Sequence, residues 1–198
     1  MLWAPGSAPA DAPLWRQLLA GAVWVFATAY LLRQVRKPGR WVGRPFLWIM
    51  NRSHSGLTEW GLQHVTIEPD FAILDIGCGG GATVNRLSAI ATHGTVCGVD
   101  HADGSVAVSS RRNAALIAAG RVDIRKASVS QLPFADGTFD LATAIETHYY
   151  WPDLVGSMQE IRRVLKPGGV LIMIAENYKG GRFDRLQRVA MKPWGRRT

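Results

Sequence analysis

The residues that invite a chemical reading lie in one short run, Leu74-Asp-Ile-Gly-Cys-Gly-Gly-Gly81. Alternating glycines behind an apolar run let the backbone turn tightly and approach a ligand closely. The amides exposed where the next helix begins suit a carboxylate or a phosphate. Two kinds of ligand fit such a loop. Gly77-x-Gly79-x-x-Ala82 satisfies the dinucleotide fingerprint, which points to a nicotinamide cofactor. Asp75 points the other way, because a carboxylate beside the first glycine repels a pyrophosphate and suits the ammonium group of an aminoacyl ligand. Asp100 ends the next apolar run, where an acidic side chain accepts both hydroxyls of a ribose, and both ligands carry one.

A second group, Glu146-Thr-His-Tyr-Tyr-Trp151, follows a later apolar run. His148 and Glu146 are candidate bases for an acceptor that must lose a proton. Tyr149, Tyr150 and Trp151 either wall a substrate pocket or pack. His54 has a similar pair of readings, a substrate-side group or a satisfied polar residue. Asp140 opens a strand after a turn and reads as structural. Cys78 and Cys97 stand in no metal-type spacing, so they read as reduced thiols of a cytosolic core, and no metal is expected.

The elements that must position these groups alternate in period. Phe71–Ile76, Thr95–Asp100, Val122–Ala127, Phe139–Ile145 and Val170–Ala175 read as strands. Ala82–Thr92, Val106–Ala119 and Leu154–Leu165 read as helices between them. The last carries Leu154, Val155, Met158, Ile161 and Leu165 on one stripe and is stopped by Pro167-Gly168-Gly169. Asp136-Gly137 is a turn. Apolar strands alternating with amphipathic helices predict a Rossmann-like, doubly wound, mostly parallel α/β sheet covered on both faces.

The chain of 198 residues carries a net charge of +8, which at first suggests nucleic acid. Its distribution argues otherwise. Residues 1–44 hold six Lys/Arg against one Asp, residues 177–198 hold seven against one, and residues 45–176 hold ten against thirteen acidic residues. A basic footprint confined to the ends is not a groove built into a fold, and no nucleic-acid partner is expected. Residues 1–13 are rich in Ala and Pro and read as disordered. Residues 14–37 read as an apolar helix, uncharged from Leu18 to Leu32 and followed by Arg33, Arg36, Lys37, Arg40 and Arg44. That order predicts a membrane anchor, spanning or interfacial, with the rest of the chain cytoplasmic. The competing reading packs the helix on the core. Residues 41–70 form a helical cap, 71–176 the core and 177–198 a basic tail.

From about Asn51 to Glu176 the sequence resembles the class I S-adenosylmethionine-dependent methyltransferases, of the small-molecule type that includes the ubiquinone/menaquinone-biosynthesis enzymes. Four segments in order carry the resemblance: Leu-Asp-Ile-Gly-Cys-Gly-Gly-Gly81, Gly-Val-Asp100, Leu-Pro-Phe-x-Asp-Gly-x-Phe-Asp140 and Leu-Lys-Pro-Gly-Gly169. It implies S-adenosylmethionine as cofactor and a small-molecule methyl acceptor; the expected anchor favours a lipophilic acceptor over a soluble metabolite. It places Asp75, Gly77, Cys78 and Gly79 around the methionine part, Asp100 at the ribose, His101 beside the adenine, and Ser128 and Val129 at its edge. Many members carry Asp at the Ser128 position, and a serine makes a weaker contact there. Members normally continue past the fifth strand with a helix and an antiparallel strand pair, whereas here only Asn177–Thr198 remain, without a strand pattern. The sheet is therefore expected to be shortened, its fifth strand exposed to self-association or to a partner. Two other functions stay open on the residues alone: an NAD-dependent oxidoreductase, and a non-catalytic membrane-associated binding module.

Overall fold

The computed structural model describes residues 13–36 and 55–175. The expectations for residues 1–12, 37–54 and 176–198, including His54 and the basic tail, lie outside the described residues. Among the described residues, helix α1 runs Leu14–Arg36 and α2 runs Ser55–Leu62. The core then follows as β1 (Ala72–Ile76), α3 (Ala82–Ile90), β2 (Thr95–Asp100), α4 (Asp103–Arg112), α5 (Ala114–Ala118), β3 (Val122–Lys126), β4 (Phe139–Ile145), a 3₁₀ turn (His148–Tyr150), α6 (Leu154–Val164) and β5 (Leu165–Ile174).

The five strands form one sheet in the order β3-β2-β1-β4-β5, every neighbouring pair parallel. Parallel strands are covered on both faces, and alternate residues of each strand serve opposite sides. Leu74, Ile76, Ala142 and Ala144 join Ile161 and Val164 of α6 in one core. Ile73, Val96 and Leu141 join Val84 and Leu87 of α3 in the other. Asp75 and Thr143 follow Ile73 and Leu141 in this alternation, so their side chains belong to the α3 face. Two of the helix ends are closed by identifiable side chains. Asp153 caps α6 by accepting from the amides of Val155 (3.1 Å) and Gly156 (3.0 Å). Arg121 closes α3, donating to the carbonyls of Gly94 (2.7 Å), Ser88 (3.0 Å) and Ala91.

Four expectations need correction. The predicted helix Val106–Ala119 is two helices, divided at Asn113, whose side-chain amide donates to the carbonyls of Gly81 (3.1 Å) and Ser109 (3.0 Å). The apolar stripe of α6 is not all core: Ile161 is buried, but Leu154, Val155 and Met158 are exposed, and Ser157 and Val164 take the buried places. Pro167-Gly168-Gly169 does not separate helix from strand. β5 begins at Leu165, and Lys166–Gly169 bulge out of register, since Phe139 pairs with Leu165 while Leu141 pairs with Val170. Finally, no helix among the described residues is long and apolar enough to cross a membrane, so the spanning anchor is not supported. The side chains of α1 are not packed on the core either: Leu18, Leu19, Val23, Trp24, Val25 and Phe26 are all exposed.

Candidate functional site

The strand order reverses at the middle of the sheet. β1 leads on to β2 and β3 on one side, while β4 and β5 lie on the other. Open α/β sheets bind ligands beyond the carboxyl ends of their strands at such a switch. Asp75 near the end of β1 and Thr143 on β4 are register partners across it.

On the β2 side the glycine loop is fastened at every step. The amides of Gly77 and Cys78 donate to the Val99 carbonyl at 2.8 and 3.0 Å. Gly79 N–H donates to Asp100 Oδ2 (3.0 Å) and Ala102 N–H to Oδ1 (2.8 Å), so backbone amides hold both oxygens of Asp100 while each keeps a further lone pair. Gly77, Gly79 and Gly81 have φ of +74°, +52° and +74°, the left-handed region that favours glycine. Two of these glycines also make room for the protein itself. A Cβ on Gly77 would lie 2.4 Å from Thr147 Cγ2, and one on Gly81 would lie 2.3 Å from Ser109 Oγ. Asn113, 1% exposed, ties the end of the loop to α4 through Gly81 and accepts from Asn85 Nδ2 at 3.2 Å.

Asp75 sits deeper than its position in the sequence suggests, at 2% exposure. Its Oδ1 accepts from Thr143 Oγ1 at 2.7 Å, whereas Oδ2 is buried without a hydrogen-bond partner. Burial pushes its carboxyl up to about 7, against the pull of the Thr143 hydroxyl and with a push from the charge of Asp100. This refines the expectation of a fixed negative charge: without a cation beside it, the group shares its time between the two forms near neutrality. Cys78, in the same loop, is buried with Sγ 3.8 Å from Ser109 Oγ, and burial raises its thiol far above the usual range. It is a packing residue here and not a reactive thiol.

Further along, His101 is half-exposed, its Nδ1 3.7 Å from Asp100 Oδ1. Ser128 is exposed and its hydroxyl accepts from the Ser130 amide (3.2 Å), while Val129 is buried in the α6-face core. At the end of β4, Glu146 has φ +54°, the one non-glycine residue in the left-handed region among those described, and its amide donates to the Ile174 carbonyl (2.9 Å). Strain of this kind collects at functional sites. Thr147 Oγ1 donates to the Ile76 carbonyl at 3.3 Å, joining this segment to β1. His148 and Tyr149 lie with ring centroids 3.9 Å apart, and His148 Nδ1 is buried without a partner. Burial lowers the His148 pKa, so the ring is neutral at pH 7 and able to accept a proton. Tyr149 meets Tyr150 edge to face at 6.3 Å, and Trp151 packs on the core.

The structure thus gathers Asp75, Gly77, Cys78, Gly79, Asp100 and His101 along the ends of β1 and β2, and Glu146–Trp151 beyond β4. Thr143, Asn113 and Thr147 complete the arrangement, and the sequence alone assigned them no role. The only signal for Thr143 was its place in a strand whose partner could not be known.

The chain is similar to known proteins. A family profile described as "Methyltransferase domain" matches residues 74–173. Cycloartenol-C-24-methyltransferase 1 of Oryza sativa subsp. japonica is 34% identical over 102 residues, which is 52% of this chain and 29% of that protein. Demethylmenaquinone methyltransferase of Symbiobacterium thermophilum is 35% identical over 131 residues, 64% of this chain and 52% of that protein. The chain therefore spans about half or less of the length of these relatives. Among solved structures, a geranyl diphosphate methyltransferase in complex with GPP and sinefungin superimposes with a TM-score of 0.61 at 22% identity, covering 71% of this chain and 53% of that one. At that identity it speaks for the fold.

Proposed function

The chain belongs to the methyltransferase domain family, and from that premise we propose that it transfers a methyl group from S-adenosylmethionine to a small, lipophilic acceptor. One observation carries the reading: a buried carboxylate at the switch point, tied by one oxygen and unpartnered at the other, beside a glycine loop. An ammonium group fits that vacancy in the hydrogen-bonding scheme, and a pyrophosphate does not. The residues present fit the cofactor. Asp75 would hold its amino group, the loop through Gly79 its methionine part, Asp100 its ribose, and His101, Ser128 and Val129 its adenine. The cofactor supplies the activated methyl group when bound, and the protein supplies orientation and exclusion of water. His148, neutral with an unsatisfied ring nitrogen, takes a proton from acceptors that must lose one, and Glu146 is the second candidate. Tyr149, Tyr150 and Trp151 wall the acceptor pocket.

Sterol- and quinone-type acceptors in the names of the similar proteins support a lipophilic substrate. The exposed apolar side chains on successive residues Val23–Phe26 of α1, followed by a basic run, suit attachment to an anionic cytoplasmic leaflet. Among the described residues β5 has no strand on its outer side, an edge that suits self-association.

Isothermal titration with S-adenosylhomocysteine and with NADH tests the core of this reading. Binding of the former is expected, with a loss on the order of a hundredfold in Asp75→Asn. Tight NADH binding with no response to S-adenosylhomocysteine overturns it. Transfer of labelled methyl into an organic-phase extract, and co-flotation with anionic vesicles, test the acceptor class and the membrane contact in turn.

A further inference from the structure

Asp75 and Thr143 are 68 positions apart in sequence and adjacent in space, partners in the β1–β4 register with a 2.7 Å hydrogen bond between their side chains. Thr143 is fully buried inside a parallel sheet, on a strand where its buried neighbours Leu141, Ala142 and Ala144 are apolar. A hydroxyl there costs desolvation unless it does something with its hydrogen bond. Its second neighbour, the Leu74 carbonyl, stands at 3.5 Å, too far to be its main partner. The bond is therefore directed at the carboxylate, and it leaves the other oxygen, Oδ2, buried and unpartnered.

We propose that Thr143 is the positioning residue of the site: its hydroxyl fixes one oxygen of Asp75 so that the other is presented to the ammonium group of an aminoacyl ligand. The proposal rests on the cofactor reading above and extends it to a residue on the opposite side of the switch point. A donated hydrogen bond stabilises the ionised carboxylate, so Thr143 sets both the direction and the charge of the group that meets the ligand. The charged and titratable groups around that carboxylate are few. Asp100, at the end of β2, opposes its ionisation, and Cys78 in the loop remains a neutral thiol. Thr143 is the neighbour that favours the charged form.

The test is the affinity of the full chain for S-adenosylhomocysteine between pH 5.5 and 8.5, in the wild type, Thr143→Val and Thr143→Ser. 5′-Methylthioadenosine, which keeps the nucleoside and lacks the amino group, is titrated in parallel. Wild-type affinity for S-adenosylhomocysteine should rise with pH as Asp75 ionises. Thr143→Val should weaken it by on the order of tenfold at pH 7 and move the midpoint upward by about one pH unit, since a hydrogen bond to a charged group is lost. Thr143→Ser should restore both, and 5′-methylthioadenosine should respond to neither pH nor variant. If Thr143→Val fails to fold by circular dichroism, Thr143→Cys, close in volume and a weak donor, is judged by the same criteria. An equal loss at every pH, a failure of serine to restore binding, or a parallel loss for 5′-methylthioadenosine overturns the positioning role while leaving the cofactor reading intact. No binding of S-adenosylhomocysteine to the wild type at any pH overturns both.

Discussion

The β1–β2 half of the site and the segment beyond β4 are built on different plans. In the first, Val99, Asp100, Asn113 and Thr143 hold the glycine loop and Asp75 through backbone and buried side-chain bonds. In the second, residues 146–151 are only partly buried, and the ring nitrogen of His148 finds no partner. A ligand common to a whole family calls for the first plan, because its geometry does not change. An acceptor that differs from member to member calls for the second, where aromatic side chains can be exchanged without disturbing the sheet. The difference also separates what tolerates substitution from what does not.

The largest effect expected from this contrast is on pH. The Asp75 carboxyl is raised by burial in the folded state to about 7 from its ordinary value of 3.8, so its stabilising contribution is complete below pH 4 and is lost as pH rises through 7. Without ligand, stability measured by urea unfolding should therefore fall by up to about 4 kcal/mol across that window, and Asp75→Asn should flatten the profile. Next, Asn113→Ala removes a buried amide from three hydrogen bonds and should cost about 3 kcal/mol in the same assay. It should also weaken S-adenosylhomocysteine binding, because the loop loses its tie to α4. On the other side, His148→Gln should slow turnover about a hundredfold on acceptors that lose a proton, with cofactor affinity held within about twofold. A comparable drop in cofactor affinity would erase the division into halves. The smallest effect belongs to Val155→Ser on the outer stripe of α6, expected within about 0.5 kcal/mol of wild type by thermal unfolding.

The two halves were also unequally legible in the sequence. Asp75, Gly77, Gly79 and Asp100 could be read directly, because a strand ending in glycines and a strand ending in an acid are local patterns. The parallel sheet followed from the alternation of periods. Thr143 could not be read, since its meaning depends on a partner 68 positions away. Asn113 looked like the interior of one helix, and its tie to the carbonyl of Gly81, 32 positions away, has no local pattern to announce it. The α6 stripe misled because helical spacing shows which residues share a face and not whether that face is covered. Pro167-Gly168-Gly169 resembled a boundary, yet a strand absorbs it as a bulge.

The gap at Gly77 has one more consequence. The methyl group of Thr147 sits where that residue would otherwise carry a side chain, so the segment proposed to meet the acceptor is wedged against the loop proposed to meet the cofactor. Neither can shift by much without the other yielding. Any cooperativity between the two substrates through this wedge must be mutual: the factor by which one tightens the other is the factor it receives in return.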